Sequence, residues 1–250
     1  MKNMSFKERE YAILEYLREN KVATVSELCQ ALFVSEPTMR RDLATLNFQG
    51  RIVRTYGGAA YRSEPGENLP QALREREQSD AKAIIGKRAA ELVHDGDTIM
   101  VDGSSTALAM LGEIAVKRSV AIITNSAKAA LILADTNVKL FVTGGELAHN
   151  SYAYVGSHAE EYVRSFNADI CFFSVRTLTS DGKLTDNAIA ENALRLAMMQ
   201  SSKRSILLLA SKKLGEPCLN TLCTLSDIDA VVTETDISDS FPKYKDKFIK

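Results

Sequence analysis

The stretch SEPTMRRDLATL, Ser35 to Leu46, decides how the N-terminal part of this chain is read. Ser35 is a good helix N-cap, and Pro37 falls in the first turn, where a missing N–H costs little. At about 100° per residue, Met39, Leu43 and Leu46 share one face that packs inward. Pro37, Arg41, Ala44 and Thr45 lie roughly opposite, with Thr38 and Arg40 on the flanks. Two adjacent arginines in the first two turns stand at the end of the helix dipole that prefers acids. Something outside the helix must compensate them. A DNA backbone does so, while Glu36 and Asp42 are expected to offset the local charge. A small, flat face carrying Thr and Arg also suits a major groove, where Arg pairs with guanine and Thr with a base or a methyl group.

The flanks agree with this reading. Upstream, Ser5 to Glu19 is amphipathic, with Tyr11, Leu14 and Leu17 recurring beside Ile13 and Tyr16. In VATVSELCQALFV (22–34), Thr24 or Ser26 can cap a short helix whose inner face is Leu28, Ala31 and Leu32, followed by a tight turn at Phe33-Val34. Downstream, GRIVRTYGGAAY (50–61) reads as a β-hairpin. Its strand starts at Ile52 and Val53, Gly57-Gly58 supplies the turn or the return, and Arg51, Arg54 and Tyr56 decorate it. Three helices and a hairpin make a winged helix-turn-helix. Its expected DNA face is Ser35, Glu36, Pro37, Thr38, Arg40, Arg41 and Thr45 on the helix, with Arg51, Arg54 and Tyr56 on the wing. A pair of arginines is more often an ordinary solvated face. Here the short second helix, the turn, the cap and the basic hairpin together favour DNA.

Charge is distributed accordingly. The whole chain of 250 residues has a net charge of -1, but residues 1–62 hold ten basic and seven acidic residues, and the remainder is mildly acidic. Hydrophobic residues make up 45%, enough for a sizeable core. Cys29 and Cys171 sit in apolar patterns, and Cys218 and Cys223 lack the spacing of a zinc or redox pair. His94, His149 and His158 are too scattered for a metal site. No catalytic triad or phosphate-binding P-loop is evident, so no catalytic residue, metal or cofactor is expected. No signal peptide opens the chain and no apolar run is long enough to span a membrane, so a soluble cytoplasmic protein is expected.

YRSEPGENLP (61–70) is polar, aperiodic and holds two of the five prolines, which marks a boundary. The expected domains are 1–62 for DNA binding, a linker at 63–75 and a body at 76–250. QALREREQSDAKAIIGKRAAELV (71–93) resumes a helical pattern with Ile84, Ile85, Ala89 and Leu92 inward. Beyond it, apolar runs at 98–102, 121–125, 139–145, 170–175, 205–210 and 229–234 alternate with helical stretches that include 105–117, 126–135 and 188–200. Strands apolar on both faces and spaced by helices indicate an α/β body with a parallel sheet covered on both sides. Polar residues gather at the carboxyl ends of three such strands: Asp102, Gly103, Ser104, Ser105 and Thr106; Thr124, Asn125 and Ser126; and Gly144 and Gly145. Loops of this kind, two of them opening helices, can bind an anion such as phosphate. Asp102 would instead accept from sugar hydroxyls or orient its loop. For any single loop, helix capping and chain turning explain the residues; three at one sheet edge argue for a site.

The stretch VSELCQALFVSEPTMRRDLATLNFQGRIVRTYGGA closely resembles the N-terminal signature of the DeoR family of bacterial transcriptional regulators. That signature has the form V-x-x-L, then V-S-x-x-T-[IM]-R-R-D-L-x-x-L, then G-x-[IL]-x-R-x-[YH]-G-G-A. The likeness extends through the aspartate and hydroxyl residues, the T-N-S and the G-G of the body, into SVRTLTSDGKLTD and SKKLG. It implies a sensor domain related in fold to ribose-5-phosphate isomerase and coenzyme A transferases, which typically binds phosphorylated sugars. It also implies that Arg176, Asp186 and Lys213 join the pocket. The chain departs from the family at Ala210 and Lys212, where an acid and a serine are common, and at Thr177, often glycine. These changes favour a more anionic ligand. The resulting expectation is a DNA-binding regulator, a repressor of a sugar-utilisation operon, released by a phosphorylated sugar or related metabolite and acting on operator DNA as a homo-oligomer, a dimer or tetramer. The alternatives are a constitutive DNA-binding protein with a degenerate sensor site and an isomerase- or transferase-type enzyme using Asp102, Asp186 or Glu191 as base.

Overall fold

The computed structural model describes residues 4–48, 51–61 and 71–249, and the chain divides into two compact units, Met1–Leu73 and Arg74–Lys250. Of the linker expected at 63–75, residues 63–70 lie outside the described residues and 71–75 are helical; Arg62 also lies outside them, as does Gly50 at the head of the hairpin motif.

The first unit runs α1 (Phe6–Asn20), β1 (Val22–Thr24), α2 (Val25–Leu32), α3 (Glu36–Phe48), β2 (Ile52–Thr55) and β3 (Gly58–Tyr61). Ser5 with Glu8 and Thr24 with Glu27 form reciprocal capping boxes that start α1 and α2. Of the two candidate caps for α2, it is Thr24 that is used. α2 stops at Phe33, which takes the left-handed conformation (φ 53°) and donates its N–H to the Cys29 carbonyl. β1 is an addition to the sequence reading: it makes the hairpin a three-stranded antiparallel sheet in the order β1-β3-β2. Gly58 permits that pairing, because a Cβ there would lie 2.1 Å from the Ala23 carbonyl oxygen. Ile13, Leu17, Leu28, Met39, Leu43, Leu46 and Ile52 form the core. Tyr11 and Ala31, expected inward, are exposed, since α1 turns Ile13 and Leu17 to the core and α2 turns Val25 and Leu28.

Asp42 corrects the sequence reading. It does not screen Arg40 and Arg41; it is 2% exposed and takes the Arg9 guanidinium from α1 at 2.6 and 3.1 Å. Its place beside Leu43 puts it on the inward edge of α3, where an unpaired carboxylate is costly. Asp42→Ala is therefore expected to destabilise this unit by about 3 kcal/mol, because it strands a largely buried guanidinium. Urea titration followed by circular dichroism checks it.

The second unit begins within α4 (Gln71–Arg76) and continues with α5 (Ser79–Glu91), β4 (Thr98–Val101), α6 (Ser105–Leu108), α7 (Leu111–Ile114), β5 (Ala121–Thr124), α8 (Ala127–Leu133) and β6 (Lys139–Val142). A hairpin follows, β7 (Glu146–Ala148) and β8 (Ala153–Val155), then α9 (Ser157–Arg164) and β9 (Ala168–Phe173). Next come β10 (Thr177–Leu178), β11 (Lys183–Asp186), α10 (Ile189–Gln200), β12 (Ser202–Leu208), β13 (Asn220–Thr224), β14 (Ala230–Val232) and β15 (Phe248–Ile249).

Seven strands form a parallel sheet in the order β15-β14-β12-β9-β4-β5-β6. Alternate residues feed two cores. Ile99, Val101, Phe172 and Leu208 face α5 to α8, whereas Met100, Phe173, Leu207 and Val231 face α9 and α10. Ile84 departs from the reading of 71–93. It is 45% exposed, because Ile85, Gly86 and Ala89 form the packed face of α5. The stretch read as one helix over 105–117 is two short ones. β10, β11 and β13 make a separate antiparallel sheet; its short, polar strands carry little of the apolar signal that marks buried ones.

Candidate functional site

The strand order determines where a site can form. From β4 the chain winds outward through β5 to β6, then returns to β9 on the other side of β4 and proceeds through β12 to β14. The reversal leaves a crevice at the carboxyl ends of β4 and β9, the position where open α/β sheets bind ligands. Asp102 follows β4 there and Ser174 follows β9.

Asp102 is 1% exposed and is fully engaged. It accepts from Ser104 N (3.1 Å) and Ser104 Oγ (2.5 Å), and from Arg195 Nε at 2.8 Å. It thus orients its loop. Ser104 in turn caps α6 through Ala107 N, as Ser126 caps α8 through Ala129 N. For these two hydroxyls, capping is what the structure displays. Gly103 is buried where a Cβ would meet Ala153 of the β7–β8 hairpin at 3.0 Å, and Ser105 and Thr106 are buried beside it. Thr124, Asn125 and Ser126 are buried as well, with Asn125 bonded to the Tyr154 backbone in both directions. Gly144 and Gly145 both have positive φ, and a Cβ on Gly145 would come within 2.7 Å of the Val155 carbonyl oxygen. The hairpin therefore packs over the loops after β4, β5 and β6 together.

Arg195, from the middle of α10, is the residue that sequence reading missed. It is 4% exposed and meets three carboxylates: Asp102, Asp186 at 3.1 Å and Glu191 at 3.0 Å, with Asn192 Oδ1 at 2.9 Å. Burial opposes its charge, but the three acids outweigh burial and hold the guanidinium above its ordinary value. The signal was present: an arginine inside the apolar run Leu194 to Met199, with Glu191 and Asn192 four and three residues earlier on the same face.

Lys213 follows β12 in a short 3-10 turn, Ser211–Lys213. Its ammonium donates to Ser174 Oγ and the Val175 carbonyl, both at 2.8 Å, and lies 3.5 Å from Thr106 Oγ1. It ties together the ends of β4, β9 and β12. Burial, followed by the positive charge of Lys82, pushes it down to about 7. Arg176 is half-buried two residues after Ser174. Ala210 is fully buried, Lys212 is exposed, and Glu234 takes the Ser211 N–H and hydroxyl.

On the first unit, the expected DNA face is solvent-accessible along α3. Glu36, Pro37, Arg40 and Arg41 are exposed, Ser35 is exposed just before it, and Thr38 and Thr45 are half-buried. Arg40 is held by Glu36 at 2.6 Å, and Thr45 Oγ1 donates back to the Arg41 carbonyl. On the wing, Tyr56 is 97% exposed at the turn and Arg51 is exposed with Glu10 at 3.2 Å. Arg54 is half-buried, and its Nη1 has no hydrogen-bond partner among the described residues. No described helix is long and apolar enough to cross a membrane.

Comparison with known proteins agrees with this two-part plan. Residues 9–64 match the DeoR-like helix-turn-helix domain, and residues 77–235 match the DeoR C terminal sensor domain. The HTH-type transcriptional regulator GolR of Listeria innocua is 32% identical over 96% of this chain and 95% of its own. The HTH-type transcriptional repressor GlcR of Bacillus subtilis is 32% identical over 91% and 88%. The glycerol-3-phosphate regulon repressor of Escherichia coli is 26% identical over 91% and 90%. Among solved structures, eIF2B delta from Chaetomium thermophilum resembles it in fold at TM-score 0.50 and 16% identity, over 66% of this chain and 60% of that one. Ribose 5-phosphate isomerase A from Methanocaldococcus jannaschii aligns at TM-score 0.43 and 17% identity, over 56% of each chain. With the helix-turn-helix model matched over the head, the sensor-domain model matched over the body and relatives aligned along nearly the whole chain, this chain belongs to the DeoR family of helix-turn-helix transcriptional regulators.

Proposed function

We propose that this regulator represses an operon for the use of a sugar or polyol phosphate, and that the phosphorylated metabolite releases it from its operator. The observation that carries the reading is Lys213. Its ammonium stands at the β4/β9 crevice, bonded among the described residues only to neutral oxygens, while Asp102, Asp186 and Glu191 are paired with Arg195. The cation awaits an anion, and the carboxylates do not compete for it. The same commitment argues against an isomerase-type reaction, which requires an available base. The name of the Escherichia coli relative, a glycerol-3-phosphate regulon repressor, fits this class of effector.

Recognition rests on α3 in the major groove, with Arg41 reading a base and Arg40, Arg51 and Arg54 on phosphates. Ser35, Glu36, Pro37, Thr38 and Thr45 shape the helix face, and Tyr56 contacts the backbone from the wing. A homo-oligomer presents two such helices to the half-sites of a palindromic operator. The effector acts by binding better to the arrangement with mismatched spacing. Asp102, Gly103, Ser104, Ser105 and Thr106, Thr124, Asn125 and Ser126, and Gly144 and Gly145 line the pocket with Arg176, Asp186 and Lys213.

Operator selection from random duplexes, followed by release assays with phosphorylated and unphosphorylated sugars, tests the reading. Release by phosphorylated compounds alone supports it; indifference to every one of them makes the protein a constitutive binder. Arg41→Ala is expected to weaken operator binding by about 1–3 kcal/mol while sparing random duplex. Equal loss on both, in a gel-shift titration, reassigns Arg41 to phosphate.

A further inference from the structure

The turn between α2 and α3 carries a large side chain where the backbone asks for a small one. Phe33 closes α2 in the left-handed region, at φ 53° and ψ 42°. Glycine takes that conformation at no steric cost and asparagine tolerates it, whereas a bulky side chain there is an outlier. The conformation is imposed by the cap: the N–H groups of Phe33 and Val34 both donate to the Cys29 carbonyl. A glycine at this position would make the same two bonds.

The ring lies outside the core of the head. Phe33 is 86% exposed, while Leu32 and Val34 on either side of it pack against that core. A single exposed apolar residue needs no explanation, but one that also holds a strained backbone does. Its place supplies one. In a helix-turn-helix the second helix enters the major groove by its N-terminal residues, and the first crosses the DNA backbone. Phe33 stands at the junction of the two, and Ser35, Glu36 and Pro37 just beyond it are exposed. The polar groups there are engaged with one another: Ser35 Oγ and Thr38 Oγ1 lie 3.0 Å apart, and Glu36 holds Arg40. The apolar feature of a major groove is the C5 methyl group of thymine, which a phenylalanine ring can cover. Contact removes both apolar surfaces from water.

We propose that Phe33 is a specificity residue, its ring covering the C5 methyl group of one thymine in each operator half-site. This inference rests on the DNA reading above and adds to it a residue outside the arginine and threonine face of α3. It accounts for both observations at once: the ring is exposed because its partner is the duplex, and the strained backbone is retained because glycine has no ring to offer.

The test uses the full chain and the tightest duplex selected from a random pool, with deoxyuridine replacing each thymidine of a half-site in turn, which deletes the methyl group. Wild type should lose about three- to fourfold in affinity at one position where Phe33→Gly and Phe33→Asn lose nothing. On the unmodified duplex both variants should bind about tenfold more weakly than wild type. Their melting temperatures should be unchanged or raised, since both residues accept the left-handed conformation, so weaker binding is not lost folding. The slope of log affinity against log salt should match that of wild type, because no phosphate contact has gone. Equal sensitivity of wild type and Phe33→Gly to every deoxyuridine overturns the methyl contact. A shallower salt slope in the variants also overturns it and makes the ring a support for phosphate contacts. Full affinity of Phe33→Gly for the unmodified duplex removes the ring from DNA binding and leaves recognition by α3 standing. A wild type that selects no duplex overturns both readings.

Discussion

Arg195→Met is expected to unfold the C-terminal unit, or nearly so, at neutral pH. The substitution keeps the volume of the stem and removes the guanidinium bonded to Asp102, Asp186 and Glu191, all of them buried. Removing one partner of a buried pair costs about 3–5 kcal/mol, and here three acids lose theirs at once, so the loss stands at the upper end. That is comparable to the entire stability of many domains, about 5–15 kcal/mol. Urea denaturation at neutral pH, followed by circular dichroism, measures it. A variant within about 1 kcal/mol of wild type at neutral pH would show that the acids find other partners.

The second large effect concerns the effector. Lys213→Met should weaken phosphorylated ligands about a hundredfold while leaving operator affinity in the absence of ligand unchanged. Here pH separates a binding role from a packing role. Lys213 faces Lys82 and Arg74, which disfavour its charge, and Asp102 and Asp186, which favour it; burial dominates and brings it to about 7. A bound dianion favours the charged form, so binding takes up a proton wherever the free lysine is neutral. Affinity should be greatest between about pH 6, where a phosphate monoester gains its second charge, and about pH 7. Above that it should fall by up to about tenfold per pH unit. In Lys213→Met this fall above about pH 7 should disappear. Calorimetry in buffers of different ionisation enthalpy counts the protons. A variant that loses affinity without altering this profile would give Lys213 a purely structural part.

Much of the head follows from local rules that act within a few residues. The Thr24 and Glu27 capping box, the Phe33 turn and the inward triad Met39, Leu43 and Leu46 each depend on spacing along one helix, and the sequence displays that spacing directly. The same is true of the body's strands, where a run such as ICFFSV, apolar at every position, requires cover on both faces. The motifs DGSST, TNS and GG were legible as strand ends for the same reason, and their helix-capping hydroxyls behave as such residues do.

What the sequence could not disclose are the relations between residues far apart in the chain. Asp42 looks like a screen for its neighbours Arg40 and Arg41, yet it turns inward because Arg9, on another helix, reaches it. Arg195 lies 93 positions from Asp102 and is joined to it only because α10 packs on the sheet face under the end of β4. Lys213 reaches Ser174 and Val175 because β12 lies beside β9 in the sheet. The chain by itself determined its main helices, its parallel sheet and its family, since periodicity, capping and motif are written in consecutive residues, while β1 and the small sheet of β10, β11 and β13 emerged only on folding. Only the tertiary structure decided which charges are spent on one another and which are left for a ligand, because the energy of a buried charge depends on partners that folding alone brings within reach.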